Sequence, residues 1–381
     1  MLCWLLRQLT DQEQAGLLIL RVAGAAVLSW AVVMLAAPFI IRFLVRAKLG
    51  DRPEFDHADL NQLTRHKSDT PTMGGVLIVM GIFVSVVFFG DLGNMYVRMG
   101  LLALIWLGVL GGVDDWIKLR YSAGKGRREG LYMWEKILFQ IGLAVLLSIY
   151  MYKYGQASIV VAAGENVNPA HRLYFPFTAA SVALPLLAYV LITVLTMVGT
   201  SNAVNLTDGM DGLAAGCSII VCVVLLIVAE VVGLWRWADF FQMPRVAGAS
   251  EMTVFCASMA GACVGFLWFN AHPAQVFMGD TGSLPLGGLI GYIAVVARQE
   301  LLLIIAGGVF VMEAVSVIIQ VGVFRFTRLA RGGGEGMRVF RCAPLHHHFH
   351  LGGWAESKVV VRFWILGIIF AALALATLKL R

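Results

Sequence analysis

The sequence contains few charged residues: Asp, Glu, Lys and Arg make up 14% of 381 residues, against about 25% in an average soluble domain. Hydrophobic residues make up 59%, and the mean hydropathy is +0.81. This composition does not supply the polar surface that a soluble chain of this length needs. It therefore excludes a soluble enzyme, a disordered chain and a nucleic-acid-binding protein. A net charge of +6 is typical of basic cytoplasmic loops in a membrane protein.

Two further absences bear on metal chemistry and domain organisation. The six cysteines form no CxxC pair and four of them lie inside apolar runs, so we expect small buried apolar side chains rather than disulfides or a zinc site. The sequence also has no long polar insertion, low-complexity segment or internal repeat. Residues 1–381 are therefore predicted to form one integral membrane domain.

Apolar runs long enough to cross a bilayer as a helix, about 20 residues, occur ten times. The predicted spans are residues 17–45, 73–90, 97–113, 136–152, 177–200, 213–234, 252–269, 283–297, 300–324 and 359–378. The eighth is short and glycine-rich and contains Pro285, and the connection 153–176 has room for a small hairpin. The sequence predicts an all-α integral membrane protein with about ten transmembrane helices.

Basic residues are distributed unequally between the two sets of connections. The loops after odd-numbered spans hold 19 Lys and Arg residues, and the rest of the chain holds 10. Because cytoplasmic loops carry the excess of basic residues, the odd-numbered loops are predicted to lie in the cytoplasm. Both termini then lie on the non-cytoplasmic side.

Polar motifs follow the third, fifth, seventh and ninth spans, and all four leave the membrane on this predicted cytoplasmic side. They are GGVDDWIK, SNAVNLTDGMDGLAAG, FNAHPAQVFMGDTGSLPLGG and APLHHHFHLGGW. The candidate residues are Asp114, Asp115, Lys118, Asn202, Asn205, Asp208, Asp211, Asn270, Phe277, Asp280, His346, His347 and His348. Lys67 and Thr72, after the first span, and the basic stretch 125–136 are expected to meet an anionic substrate or lipid headgroups. We expect one composite site.

The aspartates are candidates for metal binding and acid–base chemistry. Asp114 and Asp115 follow directly on an apolar run, where a carboxylate that stays in lipid costs about 2.5–3.5 kcal/mol. With Asp280 they suit a hard cation such as Mg²⁺, or one of them acts as a general base. The structural alternatives are a helix-end ion pair with Lys118 for the first two and a helix cap for Asp280.

The other motifs suit recognition of an anionic nucleotide. Asn205, Asp208 and Asp211 are spaced by three residues, which places them on one face if the segment is helical; an N-cap explains at most one of them. Consecutive histidines point in different directions, so phosphate contacts are favoured over a shared zinc ion. Phe277 either packs in the core or stacks on a base.

The motifs TPTMGG, GxxDDxxK, NAVNLTDGMDGLA, FLWFNxxPAQVFMGD and PLHHHFHLGGW, in this order and spacing, resemble those of the polyprenyl-phosphate N-acetylhexosamine-1-phosphate transferases. The resemblance spans residues 45–365. The histidine-rich segment is similar to that of the members that act on MurNAc-pentapeptide. It implies transfer of phospho-MurNAc-pentapeptide from its UDP carrier to undecaprenyl phosphate, with release of UMP and a requirement for Mg²⁺.

The resemblance also implies a ten-helix fold, a homodimer, and a cytoplasmic site in the bacterial cytoplasmic (inner) membrane. By motif, Asp280 is the magnesium ligand, with Asp114 and Asp115 as the catalytic pair and further candidate ligands. The implied nucleoside and diphosphate pocket consists of Lys67, Asn202, Asn205, Asp208, Asp211 and Phe277, and the implied sugar-phosphate contacts are His346, His347 and His348, with His347 catalytic. Lys136 matches a family lysine. Glu129 stands where the family often has lysine, so no role transfers to it.

Two other functions remain open from the sequence. One is a sibling transferase that uses UDP-GlcNAc as the donor. The other is a membrane transporter, for which ionisable residues within spans, Arg21, Glu230 and Glu313, are the relevant feature. Because most acidic residues of the motifs lie at span ends, we interpret Glu313 as a buried helix-packing residue.

Overall fold

The computed structural model describes residues 14–46, 70–122, 130–155, 160–162, 165–178 and 180–378, and most of them are helical. The helices are α1 (Gln14–Arg46), α2 (Gly75–Phe89), α3 (Met95–Ser122), α4 (Met133–Tyr154), α5 (Leu186–Thr207), α6 (Leu213–Gly233), α7 (Trp235–Phe240), α8 (Met252–Asn270), α9 (Asp280–Val296), α10 (Glu300–Ala306), α11 (Gly308–Ala330), α12 (Leu345–Leu351) and α13 (Glu356–Ala376). Single 3₁₀ turns lie at Pro169–His171 and Ala249–Glu251. Each predicted span overlaps at least one helix.

Within this described part, eight helices are long and apolar enough to cross a membrane: α1, α3, α4, α5, α6, α8, α11 and α13. Helices α2 and α9, at the second and eighth predicted spans, are shorter apolar helices of 15 and 17 residues. Large apolar side chains face outward, such as Leu35 and Phe39 on α1. The chain is a mostly helical membrane protein, and the total of ten spans stays a prediction.

Helix α9 lies at the centre of the fold, with all 17 of its residues buried. Its glycines allow α9 to lie at the centre, because larger side chains at these positions would collide with neighbouring helices. A Cβ at Gly287 or at Gly291 would collide with Thr200 on α5. The glycine-rich composition makes this span hard to recognise in the sequence. The same composition lets neighbouring helices approach it closely.

The ninth predicted span, 300–324, is wrong as a single helix. Helix α10 ends at Ala306 and α11 begins at Gly308, so the helix is broken after two turns. A pair of glycines, Gly307 and Gly308, lies at the break, which is a common cause of such kinks. A Cβ at Gly308 would also press on the Phe370 ring of α13.

Two short antiparallel pairs follow α4: β1 (Val160–Ala162) with β2 (Glu165–Val167), and β3 (Arg172–Tyr174) with β4 (Ser181–Ala183). The first confirms the small hairpin predicted within 153–176. Strand β4 of the second pair occupies residues predicted to begin the fifth span, so α5 begins nine residues later than predicted and extends to Thr207. This shift places the asparagines of the NAVNLT motif on the helix rather than after it.

The cysteines within apolar runs are buried, which confirms their interpretation as small apolar side chains. They are Cys217, Cys222, Cys256 and Cys263.

Candidate active site

Helix α3 meets the first turn of α9 through a glycine contact. A Cβ at Gly111 would collide with the Asp280 backbone carbonyl, so the two backbones touch there. Asp114 and Asp115 follow one turn later, and α3 continues to Ser122 without interruption. This contact places the adjacent aspartates beside Asp280.

Asp115 caps the N-terminus of α9. Its Oδ1 accepts the Asp280 backbone N–H at 3.1 Å. Its Oδ2 accepts the Thr281 N–H at 2.9 Å and the Thr281 hydroxyl at 2.6 Å. The side chain is 2% exposed, so these contacts are shielded from water. A carboxylate that satisfies the free N–H groups of a helix start stabilises both the helix and its placement.

Asp114 and Asp280 are joined by two lysines. Asp114 Oδ2 lies 2.7 Å from Lys118 Nζ and 2.8 Å from Lys136 Nζ. Asp280 lies 3.2 Å from Lys118 Nζ and 2.7 Å from Lys136 Nζ. The remaining Asp114 oxygen accepts the Leu131 N–H at 2.7 Å. Two ammonium groups therefore neutralise two buried carboxylates. The predicted Asp114–Lys118 ion pair is present, together with contacts that link α3, α4 and α9.

The three aspartates also form a group that fits a divalent cation. One carboxylate oxygen from each of Asp114, Asp115 and Asp280 lies within 4.8 Å of the other two. Oxygen-only ligand sets suit hard cations such as Mg²⁺. The side chains of Lys118 and Lys136 are 30% and 19% exposed, so both are partly accessible to water.

Helix α5 contributes asparagines with different partners. Asn205 donates to Asp280 Oδ1 at 2.8 Å and to Ser283 Oγ at 3.0 Å, so it belongs to the charged centre. Asn202, one turn earlier, donates to Gln140 Oε1 at 2.7 Å and to the Val198 carbonyl. Asn202 therefore braces α5 against α4 and does not contact the aspartates.

Asp208 follows α5 and is half-buried. Burial and the negative charges of Asp280 and Asp115 raise the pKa of the Asp208 carboxyl well above its usual value. A cation bound among the neighbouring aspartates would oppose this shift, since it favours the ionised carboxylate.

A second polar cluster lies at the start of α6. Asp211 Oδ2 accepts the Ala274 N–H at 3.1 Å and lies 3.1 Å from His272 Nδ1. Glu356, at the first position of α13, accepts the Asp211 backbone N–H at 2.9 Å. Asn270 bridges the same loops, accepting the Gly212 N–H and donating to the Val276 carbonyl. Asp211 and Asn270 therefore hold the loop after α5 against the loop before α9.

The histidine run divides between two surroundings. His346 and His347 are buried, and a Cβ at Gly209, between Asp208 and Met210, would collide with His346 Nε2 and lie 3.3 Å from His347 Nε2. His348 instead accepts the Arg341 N–H at Nδ1. The first two imidazoles thus face the loop after α5, and His348 stabilises its own segment.

Residues 71–75 pair with the segment before α9. The Phe277 N–H donates to the Pro71 carbonyl at 2.8 Å, and the Gly74 N–H donates to the Phe277 carbonyl at 2.8 Å. Thr72 is 6% exposed, and a Cβ at Gly279 would lie 3.0 Å from its hydroxyl. Thr72 therefore lies beside the carboxylate cluster, and the half-buried Phe277 lies two residues before Gly279. Lys67 lies outside the described residues.

Comparison with known proteins identifies the family. Residues 97–298 match the model of glycosyl transferase family 4, and residues 67–79 match the phospho-N-acetylmuramoyl-pentapeptide-transferase signature 1. A phospho-N-acetylmuramoyl-pentapeptide-transferase of Desulfotalea psychrophila is 43% identical over 366 residues, 95% of this chain and 94% of that protein. One of Desulforapulum autotrophicum is 43% identical over 356 residues, 93% and 91% of the two chains. The chain belongs to the phospho-N-acetylmuramoyl-pentapeptide-transferases.

The two matched regions cover most of the transferase site. The family-4 match contains the three clustered aspartates and the loop after α5, and the signature contains Lys67 and Thr72. The histidine segment lies beyond residue 298, in the part that the full-length relatives also cover. The family resemblance drawn from the motifs is therefore confirmed.

Several polar residues of the transferase site were missed from the sequence. His272 lies inside the FNAHPAQ motif, directly before a proline. This position was the feature of the sequence that could have identified it. Glu356, five residues after the end of the HHHFHL segment, and Gln140, inside a predicted span, gave no local signal. Thr281 also contributes only through its contact with Asp115. These residues can be identified as part of the site only from the packing of the helices.

Proposed function

We propose that this transferase moves phospho-MurNAc-pentapeptide from UDP-MurNAc-pentapeptide to undecaprenyl phosphate, releasing UMP and forming lipid I for peptidoglycan biosynthesis. The observation that supports this most directly is the cluster of Asp114, Asp115 and Asp280 with Lys118 and Lys136 at the ends of membrane helices. Phosphoryl transfer depends chiefly on positioning and on charge neutralisation. The carboxylates and ammonium groups of this cluster supply both positioning and charge neutralisation.

The two substrates have opposite solubility, and the position of the cluster suits both. The UDP donor is anionic and soluble, whereas the acceptor phosphate is attached to a long apolar chain. A cavity of about 380 Å³ lies between α5, α10 and α11, with a lining that includes Leu195, Gly199, Ala203, Ile304 and Phe310. The lining runs along α5 from Ile192 to Ala203, toward the end of the helix that carries Asn205. We assign the cavity to part of the prenyl chain of the acceptor.

Asp280 and Asp114 would hold Mg²⁺, with Asp115 close enough to assist. When bound, this ion neutralises the donor diphosphate and the departing UMP. Asp114 lies where it can orient the acceptor phosphate or take up its proton, and Asp115 keeps α9 in place beneath it. Lys118 and Lys136 would move from carboxylate to phosphate oxygens, which their partial exposure permits.

The donor would extend from this centre over the loop after α5. Phe277 offers an aromatic face for the uracil base, and Thr72 belongs to the segment that pairs with it. Lys67 would contact the diphosphate. Asp208 and Asp211 border the ribose and diphosphate side, with Asn270 supporting the loops and Asn202 bracing α5 against α4. His346 and His347, the latter in a catalytic role, would meet the sugar phosphate.

The same proposal includes the wider architecture. We place the active site on the cytoplasmic face of the bacterial inner membrane, with ten spans and both termini on the non-cytoplasmic side. The 19 to 10 bias of basic residues supports this orientation. A homodimer surrounded by membrane lipids is the assembly that the family resemblance implies, and no nucleic-acid partner is expected.

Reconstituted protein tests this proposal. Purified chain in lipid bilayers, given UDP-MurNAc-pentapeptide, undecaprenyl phosphate and Mg²⁺, should release UMP only when all three are present. Omission of each component in turn is the control. Uptake of a solute into the vesicles without nucleotide release would instead support a transporter.

A further inference from the structure

Helix α11 separates the apolar cavity from the histidine segment. Phe310, Val311 and Ala314 on this helix line the cavity. Glu313, in the same two turns, is fully buried and lies against α12. A carboxylate inside an apolar membrane helix is unfavourable unless a partner compensates for it. The proposed reaction gives Glu313 no role, although its burial demands one.

The Glu313 carboxylate lies against His346, in the first turn of α12. The His346 Nδ1 lies 3.2 Å from Glu313 Oε2, and both residues have no exposed surface. The His346 ring also packs against the His347 ring, with centroids 4.1 Å apart. A carboxylate beside one ring nitrogen determines which nitrogen carries the proton and how the ring is oriented.

The other nitrogen of His346 faces the proposed donor site. Because a Cβ at Gly209 would collide with His346 Nε2, the ring lies directly against the backbone of this residue. Gly209 lies in the loop that carries Asp208 and Asp211. One imidazole therefore connects a buried carboxylate on α11 with the loop assigned to the UDP donor.

We propose that Glu313 is a positioning residue for donor binding and acts through His346. This inference rests on the proposed function, because it takes His346 and the loop at Gly209 as part of the donor site. Glu313 holds Nδ1 so that Nε2 faces the loop and the sugar-phosphate end of the donor. Without the carboxylate, the ring loses the contact that favours a proton on Nδ1. Donor binding weakens, while the acceptor cavity on the other face of α11 keeps its lining.

Kinetics with each substrate varied in turn test this role. Glu313→Gln keeps the side-chain size and removes the charge, and it should raise KM for UDP-MurNAc-pentapeptide by about 10- to 100-fold, the usual effect of losing such an orienting partner. KM for undecaprenyl phosphate should not change. Glu230→Gln makes the same substitution in α6, about 25 Å along the helix from the end that meets the loop, and should alter neither value. An unchanged donor KM in Glu313→Gln would overturn the inference. Absence of UMP release by the unaltered chain would instead overturn the proposed function.

A double-mutant cycle distinguishes positioning from a general structural effect. In a His346→Ala background, Glu313→Gln should cause no further increase in donor KM, since the group through which it acts is gone. Fully additive effects would contradict the inference.

The protonation of His346 can also be measured directly, with Glu313 left unaltered. In ¹⁵N spectra of histidine-labelled protein in bilayers, the His346 signal, assigned by its loss in His346→Ala, should show a protonated Nδ1. An unprotonated Nδ1 would also overturn the inference.

Discussion

The Asp115 carboxylate accepts both the backbone N–H and the hydroxyl of Thr281, at 2.9 and 2.6 Å, and so caps the helix that begins at Asp280. Its neighbour Asp114 contacts two lysines and a loop N–H instead. Adjacent aspartates of one motif thus have different roles. One fixes α9 against α3, and the other faces the charged centre.

This difference predicts unequal losses of stability. Asp115→Asn should lower the free energy of unfolding by about 1–2 kcal/mol, because an amide replaces one acceptor of the helix cap. Asp114→Asn should cost less, since its lysine partners keep Asp280 and have access to water. Unfolding of both variants in the same detergent, followed by circular dichroism, measures this. A larger loss in Asp114→Asn would contradict the assignment of Asp115 as the cap.

Asp280→Asn should abolish turnover and weaken the response to Mg²⁺. The substitution removes a charged oxygen from the group that fits the cation, and a bound metal contributes several kcal/mol to phosphoryl transfer, so we expect a loss of at least about 100-fold. UMP release measured across a magnesium titration tests both effects. Unchanged release with a normal magnesium response would remove Asp280 from the proposed metal site.

Lys136→Gln should lower the Mg²⁺ concentration needed for half-maximal activity and also lower kcat. The lysine neutralises Asp114 and Asp280 from 2.8 and 2.7 Å, so its removal leaves more negative charge for the cation and fewer donors for phosphate. Lys153→Gln, at the other end of α4, is the matched control and should change neither quantity. A raised magnesium requirement in Lys136→Gln would show that the lysine does not compete with the ion.

Gly111→Ala should reduce activity although Gly111 has no chemical group to contribute. The new methyl group would collide with the Asp280 carbonyl and push α3 away from α9, at a cost of about 1–3 kcal/mol in stability. Gly142→Ala is the control, because a Cβ there would meet no atom within 4 Å beyond its chain neighbours and the backbone of its own helix. The control should keep full UMP release and unfold no earlier than the unaltered chain. Equal activity in the two variants would contradict the helix contact.

The motifs predicted which side chains meet because each one follows an apolar run on the same predicted face. Lys118 and Lys136 both contact Asp114 and Asp280, and Asn205 contacts Asp280, as that argument requires. The small hairpin also followed from local sequence. Positive charge on alternate loops and the order of the motifs were sufficient for this level of prediction.

The individual roles depend on three-dimensional contacts that sequence spacing does not encode. In the sequence, Asp114 and Asp115 are equivalent candidates. In the structure, the free N–H groups at the start of α9 donate to Asp115 and not to Asp114. Asn202 is implied by the motif as a pocket residue, and its hydrogen bond to Gln140 on another helix was not predictable from the sequence. The break at Gly307 was hidden because apolar residues continue on both sides of it.

The most direct test of the central claim is a choice between donors. The purified transferase is given undecaprenyl phosphate and Mg²⁺ with UDP-MurNAc-pentapeptide and UDP-GlcNAc together, and the lipid product is identified by mass spectrometry while UMP is measured. We predict that the product carries phospho-MurNAc-pentapeptide and forms in step with UMP. A lipid that carries only GlcNAc-1-phosphate, or no UMP from the MurNAc donor, would contradict the account.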